Sequence, residues 1–129
     1  MFAEQKYMFM NNNSIIAIAN QWFDAFNEHN LEKLLALYDE NAQHYSPKLK
    51  IHNPETKGLI KGKAALRAWW KDSFERLPTL KYIPKQFIAN ESKVFMEYVR
   101  QVKGEDDLTV GEVLEIKEGF VVASRVYHS

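Results

Sequence analysis

Apolar residues recur every three or four positions in the first half of the chain and every second position from about residue 80 onward. The first spacing marks one face of a helix and the second marks one face of a strand. Over residues 14–29, Ile15, Ile18, Trp22, Phe26 and His29 share a helical face, and Ile16, Ala19 and Phe23 widen it. Asn13 or Ser14 is placed to cap the first free N–H groups. Asn30 then restarts the chain. Residues 31–40, LEKLLALYDE, predict a short second helix with Leu31, Leu34, Leu35 and Tyr38 on its buried side. Residues 42–46 predict a short strand. Residues 47–61 hold two prolines and a glycine and read as a long surface loop. Leu66, Trp69, Trp70, Phe74 and Leu77 predict a third helix over 62–78, stopped by Pro78.

The second half reads as strands. Residues 80–90 predict one interrupted at Pro84. In 93–103, Val94, Met96, Tyr98, Arg100 and Val102 take one face, and Phe95, Glu97, Val99 and Gln101 take the other. A turn at 104–107 leads to a strand over 108–117, with Val110, Glu112, Leu114 and Ile116 on one face. Glu118-Gly119 is a hairpin signal, and 120–128 form the last strand. Helices first and strands afterwards predict an α+β fold with helices on one face of an antiparallel sheet. The 129 residues fit one domain over 13–129, preceded by a disordered leader over 1–12, in which Met8 or Met10 is an alternative start. The outward strand faces would carry Phe95, Val99, Val113, Val121, Ala123 and Tyr127. That is more apolar surface than a solvated sheet carries, and it predicts a homodimer through the sheet.

Composition narrows the function classes. Seventeen basic residues balance seventeen acidic ones, so no global field draws nucleic acid or an anionic membrane. No signal peptide or membrane-length apolar run is legible, and the expected location is the cytoplasm. There is no cysteine, hence no thiol chemistry. His29, His44, His52 and His128 fall at no metal-ligand spacing, no phosphate-binding loop is present, and no metal or cofactor is expected.

A few polar residues sit on otherwise apolar faces. His44 and Ser46 share one side of the 42–46 strand. His44 is either a site residue or a strand-start histidine bonded to backbone. Glu112 stands among Val110, Leu114 and Ile116, where a carboxylate needs a partner or a proton. Arg100 is its expected partner. The two form either a structural ion pair or an acid/base beside an anion clamp. Were the pair structural, Glu112→Gln would cost about 3–5 kcal/mol. His128 shares a face with Ser124 and Val126 and is either a frayed terminal residue or a proton shuttle near Glu112. Tyr98 and His128 are expected within reach of Arg100 or Glu112.

The segments WFDAFNEHNLEKLLALYDENA, YSP, GLIKGKAALRAWW and EVLEIKEGFVVASRVYHS, in that order, resemble the nuclear transport factor 2-like superfamily over about residues 13–128. Within it, the chain is similar to the SnoaL-like polyketide cyclases and ketosteroid isomerases. The resemblance implies a cystatin-like cone, a curved antiparallel sheet wrapped on three N-terminal helices, usually dimeric through the outer sheet face. It implies a pocket lined by Trp22, Phe26, His44, Ser46, Trp69, Trp70, Phe74, Met96, Tyr98, Arg100, Glu112, Leu114, Ser124 and His128. The isomerases hold a carboxylate base just before the proline, where this chain has Ser46. They hold an oxyanion-binding tyrosine where it has Trp22, and a protonated acid where it has Glu112. Epoxide hydrolases of the superfamily use an Arg-x-Asp pair, and here Val102 follows Arg100 at that spacing. The resemblance therefore implies a small, largely apolar or aromatic ligand in the cone, with cofactor-free acid–base chemistry of isomerase, cyclase or lyase type that is not steroid isomerisation. The alternative is a non-catalytic domain for ligand binding or protein association.

Overall fold

The computed structural model describes residues 11–128, so most of the expected leader lies outside the described residues. Four helices and six strands follow in the order α1 (Asn12–Asn27), α2 (Leu31–Leu35), β1 (Tyr38–Tyr45), α3 (Pro47–His52), β2 (Leu59–Lys61), α4 (Lys63–Arg76), β3 (Lys81–Asn90), β4 (Lys93–Gln101), β5 (Leu108–Lys117) and β6 (Phe120–Tyr127). The strands form one curved sheet in the order β2-β1-β6-β5-β4-β3. All neighbours are antiparallel except β1 and β6, which run parallel. The fold is α+β, with the helices on the concave side of the sheet. Helix α1 packs on β3 and β4, and α4 packs on α2 and β1.

Local chemistry explains the boundaries. Asn11 caps α1 by accepting from the Ser14 N–H at 2.8 Å, and Asn30 caps α2 by accepting from the Lys33 N–H at 3.0 Å. Helix α2 is half the expected length, because the chain leaves it to pair with the last strand. Val121 N–H donates to Leu37 O, and Tyr38 enters the sheet opposite Val121. Tyr38 is buried as expected, but on a strand. The expected loop over 47–61 is mostly ordered structure. Ser46 accepts from the Lys48 N–H, Pro47 takes the first helical position where no N–H is needed, and Leu49 is fully buried. A 3₁₀ turn over Pro54–Thr56 follows, then β2. Gly58 sits at φ +89°, and a Cβ there would stand 2.8 Å from the Tyr45 ring, so the approach to β1 requires glycine. Pro84 causes a bulge in β3, an edge strand where its missing N–H breaks no ladder.

The core lies between α1 and the concave sheet face. Trp22 is packed by Phe23, Phe26, Tyr82 and Tyr98, with ring centroids 4.7–5.9 Å apart. On the convex face Phe95, Val99, Val113 and Ala123 are half-buried and Tyr127 is 53% exposed. Val121 is not among them. A bulge between Val121 and Ala123 inserts Val122 and reverses the alternation, so Val121 turns into the core opposite Ile116.

Candidate functional site

A cavity of about 240 Å³ opens between α4, α3 and the concave face of β4, β5 and β6. Its inner wall is made by Glu112, Tyr98 and His44, each no more than 3% exposed. Strand alternation sends Tyr98 and Glu112 inward from β4 and β5, where Tyr98 faces Val110 and Glu112 faces Met96. The diagonal brings the Tyr98 hydroxyl to Glu112, and it donates to Oε1 at 2.7 Å. Glu112 Oε2 is buried with no hydrogen-bond partner among the described residues. Burial raises the Glu112 pKa from 4.5 to about 8, against the smaller opposing pull of the Tyr98 hydrogen bond. The side chain is therefore a neutral carboxylic acid at pH 7, and one oxygen can present a proton to the cavity. Burial, then repulsion from Glu112, pushes the Tyr98 hydroxyl well above its usual range, so it remains a donor.

His44 is held from behind. Trp22 Nε1–H donates to the Tyr38 hydroxyl at 3.0 Å, Tyr38 donates to Ser124 Oγ at 3.0 Å, and Ser124 Oγ lies 2.7 Å from His44 Nδ1. Indole is only a donor, which fixes the direction of the first bond. The arrangement that leaves no hydroxyl proton idle has Ser124 donating to Nδ1, with the imidazole proton on Nε2. Burial lowers the His44 pKa to about 3, so the ring is neutral. Its ring also packs on Trp70, centroids 5.2 Å apart.

The outer half of the cavity is different. Lys48, His52, Trp69, Arg76, Arg100 and Glu105 line it. Arg100 does not pair with Glu112. Register sets Arg100 opposite Leu108 and Glu112 opposite Met96, four residues along β4, and Arg100 instead donates from Nη1 to Glu105 at 2.9 Å. Glu105 comes from the turn between β4 and β5. Among the described residues no three His, Asp or Glu side chains gather as a metal site.

Of the residues singled out in the sequence, Glu112, His128, Arg100, His44, Phe26, Ser46, Trp69, Trp70 and Tyr98 line the cavity. Ser46 is on the wall, but its hydroxyl oxygen also caps α3. Trp22, Phe74, Met96, Leu114 and Ser124 do not line it. Met96, Leu114 and Ser124 are fully buried, Trp22 is core, and Phe74 stacks on His29 and meets the edge of Phe26. Ser124 thus acts on His44 from behind the wall. Several lining residues were not singled out. Lys48 and His52 were hidden because residues 47–61 read as a loop. Ser73, Arg76 and Leu77 follow Trp69 at four, seven and eight positions, so helical spacing alone could have found them. Tyr82 lies two residues from Leu80 and opposite Arg100, in phase with the inner face of β3.

The fold of this chain is shared by many solved proteins. Residues 19–124 match the SnoaL-like domain, and the chain belongs to that family. A SnoaL-like protein of unknown function from Burkholderia thailandensis superposes with a TM-score of 0.84 at 22% identity, covering 94% of this chain and 98% of that one. A protein of unknown function with a cystatin-like fold from Methylobium petroleophilum gives 0.78 at 17% identity, with 94% and 79% covered. One with a ketosteroid isomerase-like fold from Catenulispora acidiphila gives 0.70 at 14% identity, with 87% and 85% covered. At these identities the likeness establishes the fold alone. No curated protein matches the chain. No helix among the described residues is long and apolar enough to cross a membrane.

Proposed function

We propose that the chain binds a small carbonyl compound with an aromatic or apolar body, and that Glu112 donates a hydrogen bond to its carbonyl oxygen. The carrying observation is the Glu112 carboxyl, with Oε1 taken by Tyr98 and Oε2 buried and unpartnered on the cavity wall. The aromatic lining of Trp69, Trp70, Phe26 and Tyr82 suits a flat body. At about 240 Å³ the space lies below the roughly 300–1,000 Å³ usual for drug-sized ligands, so the enclosed part is one or two rings in size.

Such a site supports acid-catalysed enolisation. Glu112 gives its Oε2 proton to the carbonyl oxygen, and the carboxylate left behind is held by the Tyr98 hydroxyl. His128, which also lines the cavity, takes the proton from the α-carbon and returns it at the α- or a conjugated carbon as the enol hands its own proton back to Glu112. The reaction is an isomerisation without cofactor. It is tested with 2-tetralone in D₂O, following exchange of the α-hydrogens by proton NMR. The chain should accelerate exchange, and Glu112→Gln should slow it by about 100-fold or more while ring binding persists. Equal rates for the two proteins would remove Glu112 from the chemistry. A second reading is favoured by Ser46, a cap where the isomerases hold their base: the chain binds the carbonyl compound without turnover, and wild-type exchange then stays at the buffer rate although binding is retained.

The half-covered apolar residues of the convex face also support a homodimer, a proposal in which Phe95, Val99, Val113 and Tyr127 meet their copies. Light scattering at micromolar concentration should give twice the 15.1 kDa of one chain, and a value near 15.1 kDa would end the proposal.

A further inference from the structure

The outer half of the cavity carries more positive charge than its own acids neutralise. Lys48, Arg76 and Arg100 line it, against one carboxylate, Glu105. Lys48 makes no ion pair among the described residues, and burial followed by repulsion from Arg100 lowers its pKa. Arg76 is tied through Nε to Asp72 on its own helix at 2.7 Å. The Arg100 side chain is only 9% exposed, while that of its partner Glu105 is 48% exposed. Burying a guanidinium in the wall of a cavity is costly unless an anion meets it there. Glu105 supplies one from the turn between β4 and β5, and its greater exposure makes it the member of the pair that a ligand anion can displace.

The spacing within the wall sets what fits. Tyr98 and Arg100 are alternate residues of β4 on one face, about 6–7 Å apart along the strand. Val110 and Leu80 flank this stretch, with Trp69 and Trp70 on the helix side. A ligand whose oxygen reaches Glu112 therefore places a ring against the tryptophans and its far end at Arg100 and Lys48.

We infer that the ligand is a carboxylate-bearing aromatic or alicyclic carbonyl compound, its carboxylate held by Arg100 and Lys48 in place of Glu105 and its carbonyl directed to Glu112. This rests on Glu112 as the carbonyl donor, and it adds the charge of the ligand and the residues that read it. Glu105 is then an internal competitor, occupying the guanidinium until the ligand displaces it.

Tryptophan fluorescence of the intact chain, titrated with three probes, separates the parts. They are 4-acetylbenzoate, its neutral methyl ester, and benzoate, which keeps the anion and lacks the ketone. The expected result is 4-acetylbenzoate binding about tenfold tighter than the ester, the scale of one charged hydrogen bond, with the gap narrowing as salt rises. Lys48→Gln and Arg100→Gln should erase the gap without weakening the ester, and Glu105→Gln should tighten both anions several-fold. Acid and ester binding equally, Glu105→Gln leaving the anions unchanged, or no binding of any probe at millimolar concentration would each overturn the inference. Lys48 and Glu105 are exposed enough that their variants decide the matter even if Arg100→Gln fails to fold. Failure of the carbonyl reading would look different: Glu112→Gln would leave the ester's affinity unchanged while the preference for anions remained.

Discussion

Raising the pH from 5 to 9 should cost the folded chain roughly 4 kcal/mol that Glu112→Gln does not lose. The unfolded chain releases the Glu112 proton near 4.5, whereas the folded chain keeps it to about 8. Between those values the unfolded state is the one that ionises, so stability falls as pH rises. Below the lower value and above the upper one the residue adds no slope. At 1.36 kcal/mol per unit, the part of this interval beyond pH 5 gives the magnitude above. His44 works in the opposite sense in its own window. Its folded pKa is depressed to about 3, so stability falls as pH drops through about 6.5 toward that value. Comparing wild type with Glu112→Gln cancels that contribution. Urea midpoints at four or five pH values measure the difference, and parallel curves would show that Glu112 is ionised in the fold. An Arg100–Glu112 pair would instead have lowered the Glu112 pKa and confined its pH dependence to the range below 4.5. With Arg100 bound to Glu105, the glutamine is an isostere of the acid already present, and Tyr98 still has an acceptor.

Trp22→Ala should destabilise by about 3–5 kcal/mol and Trp22→Phe by about 1–2 kcal/mol, without either change being a ligand-contact effect. Four aromatic rings close on Trp22, and its Nε1–H begins the relay through Tyr38 and Ser124 to His44. Alanine leaves a cavity at the centre of the ring cluster. Phenylalanine keeps most of the packing and deletes one donor from a hydroxyl that retains Ser124 as its acceptor. Chemical denaturation gives the two costs. The same proteins should bind 2-tetralone as wild type does, because Trp22 does not line the cavity. A weakened affinity in Trp22→Phe with normal stability would return this residue to the site.

The strands were legible because alternation is a strong local signal. Residues 108–117 form a strand with the predicted limits, and Glu112 falls on the buried face read from Val110, Leu114 and Ile116. What the sequence hid was of two kinds. Tertiary pairing overrode local pattern at Tyr38, where LEKLLALYDE carries a helical spacing but β6 draws the tail into the sheet. Register was the other. Alternation says which face Arg100 and Glu112 occupy, not how far apart they lie along it, and that offset sent Arg100 to Glu105. The bulge at Val122 is a third instance, since one inserted residue turned Val121 from the convex face to the core. The proline pair in 47–61 concealed a capped helix, and with it Lys48, although Ser-Pro ahead of Leu49 is a helix-start signal.

The parallel pairing of β1 with β6 has a temporal consequence. His44 meets Ser124 across 80 positions of chain, and Tyr38 meets it across 86. During synthesis, α1, α2, α4 and the β3–β4 hairpin can gather from near neighbours, but β1 has only the three-residue β2 beside it until β6 emerges. The inner wall is thus among the last parts of the molecule to close, and contacts of such long range slow the folding step that makes them. Until then the backbone edge of β1 that β6 later pairs with stands open.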